Sequence, residues 1–463
     1  MKPATISRRP NHASPTAQTQ NSPTRHIPPT HPTSWLLTAL LCTGLLIPCC
    51  NASDRLNWPG RSGPALNGLI APEDTPGLPV TWSEKTGENI AWKISLEGFG
   101  HSTPVIGHGR IWLTAATKDG KQQFVYCIDQ QSGKVLHHRL LFENPEPEPL
   151  KNEVNTYASP SCALEDDAVY VHFGTYGTTR LNPLTFETVW ERRDINCRHF
   201  RGPGSSPILW NNLLILTFDG VDAQFVTALD KTTGQTVWRT DRTTDYGDLD
   251  ENGKPKLDGD IRKAYGTPSL VEVHGHWQVV SIGSRAAFAY DAKTGKELWT
   301  IRHDDFNASS PPLFHNGHAI LNTGSRSSNL LAVKLEESTR GDVSDSHVVW
   351  NRDKGNSDLS APVLVGNRIY STANNGVVTS VNADTGEEVW KGRIDGTFTA
   401  SPIATRDHIY FCNEEGTTYV IKAADTFEIL AQGTLSEGQR ASPSAADGRL
   451  FLRTFSSLYA IGR

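Results

Sequence analysis

Apolar and polar residues alternate in short runs along most of this chain, and tight turns separate the runs. In residues 361–372, APVLVGNRIYST, apolar side chains alternate on both sides of a Gly-Asn turn, the pattern of a β-hairpin with a buried face. Comparable turns stand at 107–110, 316–318 and 447–449. Ahead of the hairpins a Ser, Thr or Ala recurs before proline, at Pro104, Pro160, Pro207, Pro268, Pro311, Pro362, Pro402 and Pro443, which makes eight anchors. A third apolar run then leads to a second turn, DKTTGQTVW at 230–238, DAKTGKELW at 291–299 and NADTGEEVW at 382–390. Asp or Asn there bonds backbone N–H groups two residues on, and Gly supplies the positive φ of the reversal. Degenerate copies at 129–137, 182–190 and 422–430 mark a structural repeat, not a short catalytic motif. Each unit reads as a four-stranded antiparallel sheet, and eight units predict an all-β, eight-bladed β-propeller.

The two ends predict how the ring closes. The chain stops after the third strand of its last unit, at LYAIGR, and the missing fourth strand has its counterpart in ENIAWKISL at 88–96. Trp92 precedes Pro104 by twelve residues, the spacing also found from Trp299 to Pro311, Trp350 to Pro362 and Trp390 to Pro402. An N-terminal strand that completes the last blade removes its unpaired edge. The repeated tryptophans are expected to pack between blades.

Composition fits this picture, since 39 Gly, 28 Pro, 12 Trp and a single Met suit short strands and many turns. A formal net charge of -6 gives no global attraction to nucleic acid. The apolar run 35–47, behind Lys2, Arg8, Arg9 and Arg25 and ahead of Ala52 and Ser53, reads as an export signal too short to span a membrane. Residues 1–53 are therefore expected to be a disordered extension plus signal peptide, and 54–463 a single propeller located in the periplasm or secreted. Neither a lipid anchor nor a transmembrane domain is expected in the mature chain, because Pro48 and Cys49 are poor residues before a lipidated cysteine. Cys42, Cys49 and Cys50 fall in the signal, leaving Cys127, Cys162, Cys197 and Cys412, which are expected to be small buried apolar residues.

These repeats, with LNWPGRSGPALNG at 56–68, YASPSC at 157–162 and HFRGPGSSP at 199–207, resemble the PQQ-like propeller family. That family includes quinoprotein dehydrogenases and the assembly factor BamB, and the motifs are similar to an uncharacterised group of exported propellers common in planctomycete-type bacteria. The dehydrogenase branch would imply calcium held by carboxylate and amide oxygens, a catalytic Asp and an adjacent cysteine pair. The adjacent pair here, Cys49 and Cys50, lies in the signal segment, and no CxxCH haem site is present. The resemblance therefore implies the fold, while function has to be argued from the site. The expectation is a noncatalytic scaffold that binds an envelope protein, peptide or glycan; a PQQ-dependent oxidoreductase is the alternative.

Three junctions between blades are longer than the rest, at 137–160, 190–207 and 238–268, and a propeller places such connections on one face. They are expected to form one raised rim and to bring Tyr157, His199, Arg201, Lys263 and Tyr265 to the channel mouth. Arg285 and Arg326, each following a Gly-Ser pair at a strand end, are expected to add cations there. Asp248, Asp250 and Asn252 open a DxDxNG calcium-loop pattern, but Gly259 stands where the bidentate Glu belongs, so calcium would need a differently shaped loop. No catalytic residue is assigned.

Overall fold

The computed structural model describes residues 54–151, 154–325, 328–354 and 356–463. The expected export signal and Arg326 lie outside the described residues. Among the described residues eight sheets form, one per repeat, and each counts four antiparallel strands from the inner to the outer edge. Blades 1 to 7 span 105–143, 163–192, 208–241, 269–302, 313–352, 363–393 and 403–434. Blade 8 takes three strands from 444–461, and its outer strand is Ile90–Ser95, paired antiparallel with Ser457–Ile461. The predicted closure is thus the observed one.

Blades are stapled to one another by the repeated tryptophans. Trp92, Trp190, Trp238 and Trp350 each donate their indole N–H to a backbone carbonyl in the next blade, at Gln130, Lys231, Ala292 and Ala383, over 2.8–3.2 Å. The indole face lies against the turn glycine of that next blade: a Cβ on Gly133, Gly234, Gly295 or Gly386 would come within 2.5–2.7 Å of it. That glycine therefore serves a second purpose besides its positive φ, since it clears space for the neighbouring indole. Two blades swap the parts: His137 replaces the Trp in blade 1, and Phe186 in blade 2 takes the glycine's place and packs on it with ring centroids 3.7 Å apart. Phe427 of blade 7 likewise packs on Trp390 at 5.3 Å.

Where the following blade has no such turn, an extra strand covers the outer edge. Blade 5 lacks the motif, and its Gly341–Asp342 pairs in parallel with Trp299 and Thr300 of blade 4. The chain ends before blade 8 could form the turn, and Trp82–Ser83 pairs in parallel with Gly433 and Thr434 of blade 7. These two short strands have no signature in the repeat and are not foreseeable from it.

A second set of bonds runs around the axis. At five junctions the second residue before the inner strand accepts, through its hydroxyl, the backbone N–H of its counterpart one blade back: Thr103 to Ser161, Ser161 to Ser206, Ser206 to Thr267, Ala361 to Ser401 and Ser401 to Ser442, all at 2.9–3.1 Å. Blade 5 has Pro311 at this position. These bonds explain the Ser or Thr of the anchor. They also correct two anchors, because the inner strands begin at Ala163 and Leu313, so that Cys162 and Pro312 occupy the positions read as Pro160 and Pro311. The four described cysteines are buried, as expected, and unpaired. Burial pushes the thiols of Cys127, Cys162 and Cys412 up to about 12.

Candidate functional site

The lead-in segment 56–70 runs across the channel at the end where the inner strands finish. Trp58 exchanges backbone bonds with Ile106 of blade 1, Pro59 accepts from Leu164 of blade 2, and Gly68 and Ile70 bond Ala404 of blade 7. Leu66 meets the apolar cluster around Trp210 and Leu270 of blades 3 and 4. The segment is a stopper, held by the fully buried Trp58.

What remains of the channel is a cup of about 450 Å³ open at the other face, the size of a small-molecule site. Its wall follows from the repeat. The third residue before the anchor position lines the cup in every blade: His101, Ser159, Gly204, Tyr265, Ser309, Leu359, Thr399 and Arg440. From the stopper, Arg61 joins the lining.

The three long junctions adjoin, as the sequence suggested. Arg198 bridges Glu148 at 2.7 Å and Asp258 at 2.8 Å, and Asn155 donates to the carbonyls of Gly202 and Pro203. Of the residues expected at the mouth, Arg201 and Tyr265 line the cup. Arg201 grips Asp260 with both a 2.9 Å and a 3.1 Å bond. Lys263 is fully buried and reaches the same carboxylate at 2.6 Å; burial lowers its pKa. His199 is buried behind Tyr265, ring centroids 5.0 Å apart, and does not line the cup. Tyr157 is a core residue whose hydroxyl donates to the Glu148 carbonyl at 2.8 Å. Arg285 sits in a groove at the blade periphery, 3.5 Å from Asp304.

The calcium-loop oxygens are otherwise engaged. Asp248 is clamped by Arg262 at 2.6 and 2.9 Å, and Asp250 accepts the backbone N–H groups of Asn252 and Lys254 at 2.8 Å. Asn252 lies exposed at the tip of that turn. Among the described residues no cluster of three or more His, Cys, Asp or Glu side chains is arranged to hold a metal. Among the described residues the cup presents one carboxylate, Asp260, already neutralised by Arg201 and Lys263, and these residues do not fit a calcium-held quinone.

Four buried or half-buried histidines give the fold an acid sensitivity. Desolvation lowers His101 and His172 to about 3, and His199 and His303 to about 4. Near His101 the charges of Arg453 and Arg440 add to the effect. On unfolding each returns to an ordinary value near 6.5. Between about pH 6.5 and 4 the unfolded chain therefore binds protons that the folded chain refuses, and stability falls as pH falls through that window. Each histidine contributes a slope of about 1.4 kcal/mol per pH unit there. Denaturant titrations at pH 7.0 and 5.0 should show this loss, and His172→Asn should remove one share of the slope; a flat profile would contradict it.

The assembly defines a closed PQQ-like propeller with a stoppered axial channel. The family described as outer membrane protein assembly factor BamB matches residues 56–220 and 222–453, and the chain belongs to that family. BamB from Moraxella catarrhalis superposes with a TM-score of 0.56 at 12% identity, over 81% of this chain and 99% of that one. The quinohemoprotein alcohol dehydrogenase of Comamonas testosteroni gives 0.65 at 13%, over 89% and 81%. A europium-containing methanol dehydrogenase gives 0.68 at 11%, over 88% and 98%. At such identities the likeness is one of fold. In sequence, a tetrathionate hydrolase of Acidithiobacillus ferrooxidans is 26% identical over 188 residues, a match that takes in 36% of this chain and 38% of that protein.

Proposed function

We propose that this chain is an exported binding propeller, without catalytic chemistry of its own, whose cup receives part of an envelope protein or peptide partner. The observation that carries this reading is the contrast between two positions of one repeat. Next to the anchor, Ser and Thr recur because their hydroxyls tie blade to blade. Two residues earlier the same chain places His, Ser, Gly, Tyr, Leu, Thr and Arg, all facing one cavity. Stacking sets the first position and leaves the second free for a ligand. The family description, an outer membrane assembly factor, supports a protein partner over a glycan. The pattern of residues 35–53 supports export.

The quinoprotein alternative receives less support from the site, because the donor set of the cup holds no place for the divalent ion. A mutation that fills the cup tests the binding reading. Leu359 lines it with an apolar side chain, so Leu359→Trp adds bulk without removing a hydrogen bond. Crosslinking in the native envelope, with the captured species identified by mass spectrometry, should show a several-fold lower yield for Leu359→Trp at an unchanged melting temperature. A double replacement on the opposite face, His315→Ala with His318→Ala, should leave the yield alone. The reverse result would mean that the partner binds the other face, and equal yields from all three proteins would remove the cup from the interaction.

A further inference from the structure

The cup is blind, and its floor carries a charge that no described carboxylate balances. Of the three arginines in the lining, Arg201 is matched by Asp260 and Arg440 by Glu414 at 2.9 Å. Arg61 is different. It rises from the stopper, its guanidinium lies a marginal 3.5 Å from Ser62 Oγ, and among the described residues no carboxylate lies within ion-pairing distance of it. Protein surrounds it on the sides that do not face the cup, and this desolvation lowers its pKa to about 10, so it remains a cation at neutral pH.

A second positive charge stands behind the wall. Arg453 is buried, and its guanidinium is held by neutral oxygens alone, Ser102 Oγ at 2.6 Å and the carbonyls of Thr114 and Ser102 at 2.8 and 3.5 Å. His101 on the cup wall stays neutral and adds no charge of either sign. The field in the cup is therefore positive and poorly screened. A planar guanidinium with an open fork matches a carboxylate in two parallel hydrogen bonds.

The wall adds a further requirement. Tyr265, Phe306 and Leu359 offer apolar surface in the same cup. A carboxylate carried on an apolar body meets both demands.

We propose that the cup binds an apolar chain end that carries a free carboxylate, inserted carboxylate first, with the carboxylate on Arg61 and the apolar body against Tyr265, Phe306 and Leu359. The inference rests on the binding role assigned to the cup above and names the chemistry of what enters it. Because the stopper blocks through-passage, a polypeptide that sets its terminal carboxylate on Arg61 enters by its C-terminus. The same chemistry is found in a free N-acyl amino acid, and the experiment separates these sources.

The full chain is titrated with N-acetylated tetrapeptides randomised at the last two positions, as free acids and as C-terminal amides, and with a pool of N-acetyl amino acids. Free-acid tetrapeptides should bind, and the amides at least about thirtyfold more weakly. Arg61→Gln should lose the same factor toward the free acids while leaving the weak amide binding unchanged, and Arg61→Lys should fall between. Tetrapeptides tighter than N-acetyl amino acids would assign a polypeptide end; equal affinities would assign a small acylated acid. Amides that bind as well as acids, an Arg61→Gln protein that binds the acids undiminished, inorganic phosphate that competes as tightly, or no binding of either pool would each overturn the proposal. If Leu359→Trp lowers native capture and Arg61→Gln does not, the binding role stands and the carboxylate assignment fails.

Discussion

A chain without residues 88–96 should lose its parent melting transition, because that deletion reopens the ring. Ile90–Ser95 is the outer strand of blade 8, and without it Ser457–Ile461 becomes an unpaired edge. Three further links go with it. The Trp92 indole no longer reaches the Gln130 carbonyl at 3.2 Å, Lys93 no longer bridges Glu84 at 2.7 Å, and its cation no longer lies over the Tyr459 ring at 5.1 Å. The strand also tethers Trp82–Ser83 to blade 7, so a second edge loosens. Backbone bonds at about 1 kcal/mol each and the lost indole at about 3 kcal/mol sum to the order of 10 kcal/mol. That corresponds to about 10 °C or more in melting temperature for a domain of this size. Trp92→Ala keeps the strand and isolates the indole, with an expected loss of about 3 kcal/mol. A deletion protein that melts with its parent would mean that the ring is held shut elsewhere.

The same residues show how far the sequence could be read. Blade number, strand order and closure were legible, because each depends on a repeated local pattern whose failure at the C-terminus pointed to its completion at the N-terminus. Register was legible in six blades and slipped in two. Proline is only a marker of the anchor, whereas the hydroxyl before the inner strand makes the bond; in blade 2 that hydroxyl is Ser161, ahead of Cys162. Reading from Pro160 places Tyr157 at the cup, two residues from Ser159, which lines it. With the corrected register, His101 and Arg440 follow from the sequence as readily as Tyr265. Arg61 does not, since the lead-in belongs to no repeat and its course across the channel depends on contacts with blades far apart in the chain. His199 and Lys263 were placed on the right loops but face inward, a choice set by packing against Tyr265 and Asp260.

The staple between blades predicts that two glycines with the same backbone will differ sharply in their tolerance of one methyl group. Gly386 and Gly317 both have φ +75°. An L residue at that φ costs about 1 kcal/mol, so Gly317→Ala, where a Cβ meets nothing within 4 Å, should lose about that much. At Gly386 the Cβ would lie 2.7 Å from two indole carbons of Trp350 and must push the ring off its seat. The indole would then give up its 3.1 Å bond to the Ala383 carbonyl in the same turn. Overpacking of this kind costs about 1–3 kcal/mol and a lost buried hydrogen bond about 1 kcal/mol more. Gly386→Ala should therefore lose about 3–5 kcal/mol by denaturant titration, and pairing it with Trp350→Ala should bring the further loss down toward the 1 kcal/mol seen at Gly317. Equal losses for Gly386→Ala and Gly317→Ala would leave the glycine with its φ alone, and the tryptophan staple would have no part in holding blade to blade.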